Sequence, residues 1–144
     1  VTYYVLGPDG EPREATQEEW SAWSKDADWE KHHRVAEWST EQVRVSTVFL
    51  AIDHSHGMGG PPILFETMVF LAKGVTRVGP YGDNECWRSC TRAEAQADHD
   101  RVVLMCRAFL GEFGQAVLDA AETAVRLDGE YAAVALIQAH QGTT

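Results

Sequence analysis

Between Val43 and Ile52 the chain alternates: Val43, Val45, Thr47, Phe49 and Ala51 share one face, and Arg44, Ser46, Val48, Leu50 and Ile52 share the other. A period of two is the signature of a strand. The second face is polar at its start and apolar later, which predicts a strand that begins at a sheet margin and ends buried on both faces. Ile63 to Leu71 reads the same way, so the two segments pair as a hairpin around a wide loop. Thr2 to Leu6, rich in β-branched and aromatic residues, stops at the turn cluster Gly7-Pro8-Asp9-Gly10. His33 to Ser39 and Glu85 to Ser89 complete a set of four or five strands, and the glycine- and proline-rich stretch from Lys73 to Asn84 is read as loop.

Elsewhere the period lengthens. Thr16 with Glu19 forms a capping box, and Trp20, Trp23 and Ala27 then fall on one face, predicting a short helix over Thr16 to Asp26. Thr91 with Glu94 repeats the box and opens a long helix to Leu110. Its apolar stripe is Ala95, His99, Val102, Cys106, Phe109 and Phe113, and Gly111 and Gly114 end it. The alanine-rich tail from Gln115 to Ala139 predicts two further helices, with Val117, Ala121, Ala124 and Leu127 on the first and Tyr131, Val134 and Ile137 on the second. Strands first and helices last imply one α+β domain: a mainly antiparallel sheet over residues 1–90 packed on the long helix, with helices filling 91–140.

Composition agrees with a folded globule. The 144 residues are 44% hydrophobic and carry five Trp, five Phe and four Tyr, enough for a sizeable core. Trp20, Trp23, Trp29 and Trp38 crowd the first forty residues; they are assigned to the core over a recognition patch. No apolar run reaches the roughly 18 residues of a membrane span. The opening residues lack the basic and apolar regions of a signal peptide, so a cytoplasmic protein without membrane contact is expected.

The formal charge of −10 works against direct nucleic-acid binding, because repulsion replaces the gain from counterion release. Three cysteines make no disulfide framework, and Cys86 with Cys90 lacks the second pair or added histidines of a zinc site, so free thiols are expected.

The chemistry-bearing residues gather in and around the hairpin. Its loop holds Asp53, His54, His56, Gly57, Gly59, Gly60, Pro61 and Pro62, and Glu66 interrupts an otherwise apolar run. A buried carboxylate needs a partner or a proton, and His54 is the partner expected. Asp53, His54, Glu66 and His99 form the candidate binding cluster. Of these, His54, Glu66 and His99 offer nitrogen and oxygen donors to a divalent metal, or Glu66 serves as a general base. In the simpler structural reading, Glu66 accepts backbone N–H bonds from the glycine loop and His99 is a packed helix residue. The loop lacks the spacing of a phosphate cradle, and no nucleophile elbow or HExxH zinc motif occurs.

Asp53-His54, the glycines, Pro61-Pro62 and the segment Leu64-Phe65-Glu66-Thr67-Met68-Val69-Phe70 resemble a small protein family frequent in tailed phages and prophages of actinobacteria. The resemblance covers roughly Val43 to Cys106. At His56, Cys86 and Cys90 the chain departs from the family's pattern, whereas Asp53, His54, Glu66 and His99 match it. The resemblance implies a phage or prophage context, and with it the cytoplasm of a host cell, but assigns no reaction either way. The expected function is non-enzymatic: an accessory protein that binds a host protein or other macromolecule, or a small ligand, with blunting of a host antiviral defence as one role of this kind. The alternatives are a metal-dependent hydrolase or nuclease using His54, Glu66 and His99, and a minor virion component. The narrow stripe Tyr131, Val134 and Ile137 suits pairing with a second copy, so a homo-oligomer is expected.

Overall fold

The computed structural model describes residues 1–142. The elements follow as β1 (Tyr3–Leu6), β2 (Pro12–Ala15), α1 (Gln17–Ser24), α2 (Trp29–His33), β3 (Arg34–Ser39), β4 (Val43–Phe49), β5 (Phe65–Leu71), β6 (Cys86–Ser89), α3 (Arg92–Phe109), α4 (Gln115–Asp128) and α5 (Glu130–Gly142). Strands β1 and β2 form one antiparallel sheet, and β3-β4-β5-β6 form another in sequence order. The fold is α+β, as the alternation of periods predicts. No helix among the described residues is long and apolar enough to cross a membrane.

The chain divides into two compact units. The first comprises Val1–Glu37, Ser46–Met68 and Cys86–Asp98; the second comprises Trp38–Val45, Val69–Glu85 and the described residues from His99 onward.

In the first unit the turn after β1 sets the pairing. Gly10 adopts φ 80° and donates to the Gly7 carbonyl at 3.0 Å, while Gly7 donates to Glu11 at 2.9 Å. The turn forces Pro12–Ala15 back against β1, with Tyr3 opposite Ala15. Nothing in the apolar pattern of Pro-Arg-Glu-Ala announces this strand, which exists through its partner. The α1 capping box is present: Thr16 Oγ1 accepts from the Glu19 N–H at 3.1 Å, and Glu19 Oε1 accepts from the Thr16 N–H at 3.4 Å. Arg13 bonds Glu19 at 2.8 Å and is the main cause of that carboxyl's lowered pKa.

The core of this unit is Phe49, Ala51, Leu64, Phe65 and Ala95, with Tyr4, Leu6, Trp20, Trp23 and Val35 packed against it. Trp23 meets Phe49 edge-on at 5.6 Å, a favourable aromatic geometry. Trp20 and Trp23, both partly buried, thus pack against the core. Thr47 and Thr67, both buried, satisfy each other through a 2.7 Å hydroxyl bond between β4 and β5.

Strand β4 ends at Phe49, three residues before the predicted end. Ala51 takes φ 65°, in the left-handed region, so the extended chain cannot continue through it. Ala51 then accepts from the Tyr4 N–H at 3.0 Å, and Ile52 pairs with Tyr3.

In the second unit α3 buries Val102, Met105, Cys106 and Ala108. Burial pushes the Cys106 thiol up to about 12, which makes it inert packing. The helix closes where its glycines predict: Gly111, at φ 82°, donates to Ala108 at 3.0 Å. Beyond it Arg107 holds Glu112 through two bonds, at 2.9 and 2.7 Å.

Helices α4 and α5 pack on each other. The tail stripe differs from expectation: Ala133, Val134 and Ile137 form the buried face of α5, whereas Tyr131 is 71% exposed. Two of the three residues assigned to pairing with a second copy are therefore committed to the protein's own interior.

Candidate functional site

The loop between β4 and β5 is built around one carboxylate. Asp53 Oδ1 accepts from the Ser55 N–H at 2.8 Å and from the Ile63 N–H at 2.9 Å, and Oδ2 accepts from the Ser55 hydroxyl at 2.8 Å. Ser55 and Ile63 stand at the two ends of the loop, so Asp53 ties its entry to its exit. The His54 N–H adds a 3.0 Å bond to the Ile63 carbonyl, and Leu50 donates to Leu64 at 2.7 Å. The apex then turns through His56, Gly57, Gly59 and Gly60, all at positive φ. Met58 lies at that apex, 88% exposed.

These bonds explain the electrostatics. The Ser55 and Ile63 backbone N–H groups hold the Asp53 carboxyl below its ordinary value of 3.8. The sign follows: the clamp stabilises the folded loop above that value and weakens as pH falls through the lowered folded pKa. Asp53→Ala is expected to raise amide exchange at Ser55 and Ile63 while the strands on either side stay protected. Unchanged exchange at Ile63 would show that the loop does not depend on the clamp.

His54 Nδ1 lies 2.7 Å from the Ile52 carbonyl. A carbonyl only accepts, so Nδ1 carries the proton, and in the neutral ring Nε2 is left as an acceptor or ligand atom. His54 and His56 are 6.4 Å apart between ring centres and steeply inclined, because His56 at φ 54° breaks the extended geometry that would have aligned them. Both rings, with Val1, Thr2, Ile52, Asp53 and Gly57, line a cavity of about 470 Å³.

The other members of the predicted cluster do different work. Glu66 lies opposite Arg88 on β6, and the Arg88 Nε donates to Glu66 Oε2 at 2.9 Å. Its partner is this cross-strand arginine, not His54 and not the glycine loop; such pairs contribute roughly 0.2–1 kcal/mol. The loop-organising role assigned to Glu66 belongs to Asp53. His99 lies in the second unit on α3, only 6% exposed, and burial lowers its imidazole from 6.5 against the opposing pull of Asp100.

The expected metal set of His54, Glu66 and His99 does not converge. Among the described residues, the group whose ligand atoms all lie within 4.8 Å is Asp26, Asp28 and His32. All three are exposed, and the Asp28 N–H already donates to Asp26 Oδ1 at 2.8 Å, the bond of an ordinary surface turn.

Sequence reasoning also passed over the basic run Lys31-His32-His33-Arg34, which α2 and β3 bring beside Arg92. The run itself was the available signal, being rare in so acidic a chain.

Compared with known proteins, the chain matches no protein-family model, no curated protein and no solved structure.

Proposed function

We propose that this chain is a non-enzymatic binding protein of a phage or prophage, which engages a host macromolecule through the loop from Asp53 to Pro62. One observation carries the reading: a single carboxylate ties the base of the loop at both ends while the apex, His56 to Gly60, is wholly exposed. A loop ordered before contact loses less entropy on binding, and loops held on a firm scaffold are common binding elements. An exposed methionine at the apex adds an adaptable apolar contact. Blunting of a host antiviral defence is the role such a binder would serve in a phage.

Capture from an actinobacterial lysate by wild-type protein and by Met58→Asp tests this. One macromolecular species should be retained by the wild type and lost with Met58→Asp, whose melting temperature stays unchanged. Equal capture by both proteins would refute the loop as the contact element.

No specific observation favours the hydrolase or nuclease reading: Glu66 is paired with Arg88, and His54 Nδ1 is held by the Ile52 carbonyl. A minor virion component has one observation in its favour, the exposed Leu127 and Tyr131 on α4 and α5. Self-association through the tail would rest on these two side chains, since Val134 and Ile137 of the predicted stripe are buried. Mass spectrometry of purified particles separates that reading from a host-directed binder.

A further inference from the structure

A second concave site in the first unit gathers basic side chains in an otherwise acidic chain. A cleft of about 470 Å³ is lined by Leu6, Gly7, Pro8, Gly10 and Trp23 together with Lys31, His32, Arg34 and Arg92. No carboxylate is among its lining residues, although the chain has 22 acidic residues against 12 Lys and Arg; Glu37 pairs with Arg34, and Asp26 and Asp28 flank His32. Three of those 12 bases, plus an imidazole, converge on one recess. Like charges gathered in one recess repel, and an anion between them turns repulsion into attraction.

The geometry of Arg92 adds direction. Its Nη1 donates to the Gly10 carbonyl at 3.1 Å, and its guanidinium lies along the Gly10 backbone. One corner of the fork is thereby fixed to the β1-β2 turn. Its remaining N–H groups have no partner among the described residues and suit the paired oxygens of an oxyanion. Arg34 keeps a 3.1 Å bond to Glu37, which orients it without filling its donors.

We propose that this cleft binds a small phosphate-bearing organic anion of mononucleotide size. Lys31 and Arg92, with Arg34 shared with Glu37, favour a phosphate of more than one negative charge over a lone carboxylate. The volume lies within the range of small-ligand sites. Leu6 and the half-buried Trp23, both lining the cleft, offer an apolar wall for the organic part. A polymer is disfavoured, because a strand leaving the cleft would run over a surface of net charge −10. The inference is independent of the loop reading, since it shares no residue with Asp53–Pro62.

Calorimetric titration of the intact chain with ADP, inorganic phosphate and a short single-stranded oligonucleotide tests it at two salt concentrations. ADP should bind, more tightly than phosphate, and weaken with salt. The Lys31→Gln/Arg34→Gln double variant should lose at least about tenfold in affinity, and Arg92→Gln a similar amount, with melting temperatures within error of the wild type. Absence of ADP binding at millimolar concentration would overturn the proposal, as would binding that both variants retain. An oligonucleotide that binds more tightly than ADP would overturn the small-molecule assignment in favour of a strand.

Discussion

Gly79→Ala is expected to destabilise the protein by about 2–4 kcal/mol, adding strain at a positive φ to overpacking against an aromatic ring. Gly79 opens the tight turn that joins Val78 to Tyr81, where the two residues exchange backbone bonds of 3.0 and 3.1 Å. It holds φ 57°, and a Cβ there would lie 2.5 Å from Cγ of Phe109 and 2.6 Å from Cδ2. The Cγ atom is the root of the ring, so Phe109 cannot clear the space by a small swing. Either the ring leaves its rotamer or the turn moves away from the end of α3.

Gly111→Ala is the control. Gly111 has φ 82° but no atom within 4 Å of a built Cβ, so it isolates backbone strain of about 1–2 kcal/mol. The excess of Gly79→Ala over Gly111→Ala, read by denaturant unfolding, measures the clash. Adding Phe109→Ala to Gly79→Ala should recover part of that excess. Equal losses at the two glycines would show that the ring yields freely.

That close approach was invisible in the sequence, where Gly79 stood among several glycines and prolines of a loop, and its partner lies thirty positions on. The legible features were those written locally. The capping pairs Thr16–Glu19 and Thr91–Glu94 act over three residues, and Glu94 N–H does donate to Thr91 Oγ1 at 3.1 Å. The apolar periods of β4, β5 and α3 are likewise local, and one buried face of each follows; the second faces of β4 and β5, expected to end buried, are only half-buried at Val48, Leu50, Met68 and Phe70. Strand β2 was missed because its polar residues are held by pairing with β1. Ala51 broke β4 early through a backbone angle that an alanine does not advertise.

The candidate site shows the same boundary. Asp53 was named, yet its closing bond to Ile63 spans the loop and cannot be inferred from spacing. Glu66 was singled out because its neighbours in sequence are apolar, but in a strand those neighbours face both ways, and across the sheet stands Arg88. In the tail, attention to large residues hid the role of Ala133: its small side chain is fully buried, while the larger Tyr131 stays outside.

The other large effect is expected at Glu130, the first residue of α5. Its Oε1 accepts the Tyr81 hydroxyl and, at 3.3 Å, the Arg101 Nε. Tyr81 is 1% exposed and the Arg101 side chain 11% exposed, so this carboxylate joins a loop and two helices of the second unit through atoms largely removed from water. Glu130→Ala removes a shared acceptor, which amounts to about 1–3 kcal/mol for groups in such surroundings. It also takes a negative charge from a helix N-terminus, worth a further ~0.3–1 kcal/mol. Glu130→Gln keeps an oxygen for Tyr81 and should lose less. Tyr81→Phe should be milder still, since the ring continues to fill its place. If the network is real, Glu130→Ala and Tyr81→Phe will not add, and a double-mutant cycle will return a coupling of at least about 0.5 kcal/mol.

The pH dependence supplies an independent reading. Burial first, and then the bond to Glu130, raise the Tyr81 pKa well above its ordinary value of 10. The folded state therefore keeps the phenol protonated where the unfolded chain would release the proton. The stabilisation from this group is complete below pH 10 and declines as pH climbs toward the raised folded pKa. Wild-type protein should thus lose stability above pH 10 more steeply than Tyr81→Phe, with the two curves parallel below it. Curves that stay parallel through pH 11 would mean that Tyr81 is open to solvent in solution, and the Glu130 network would fall with it.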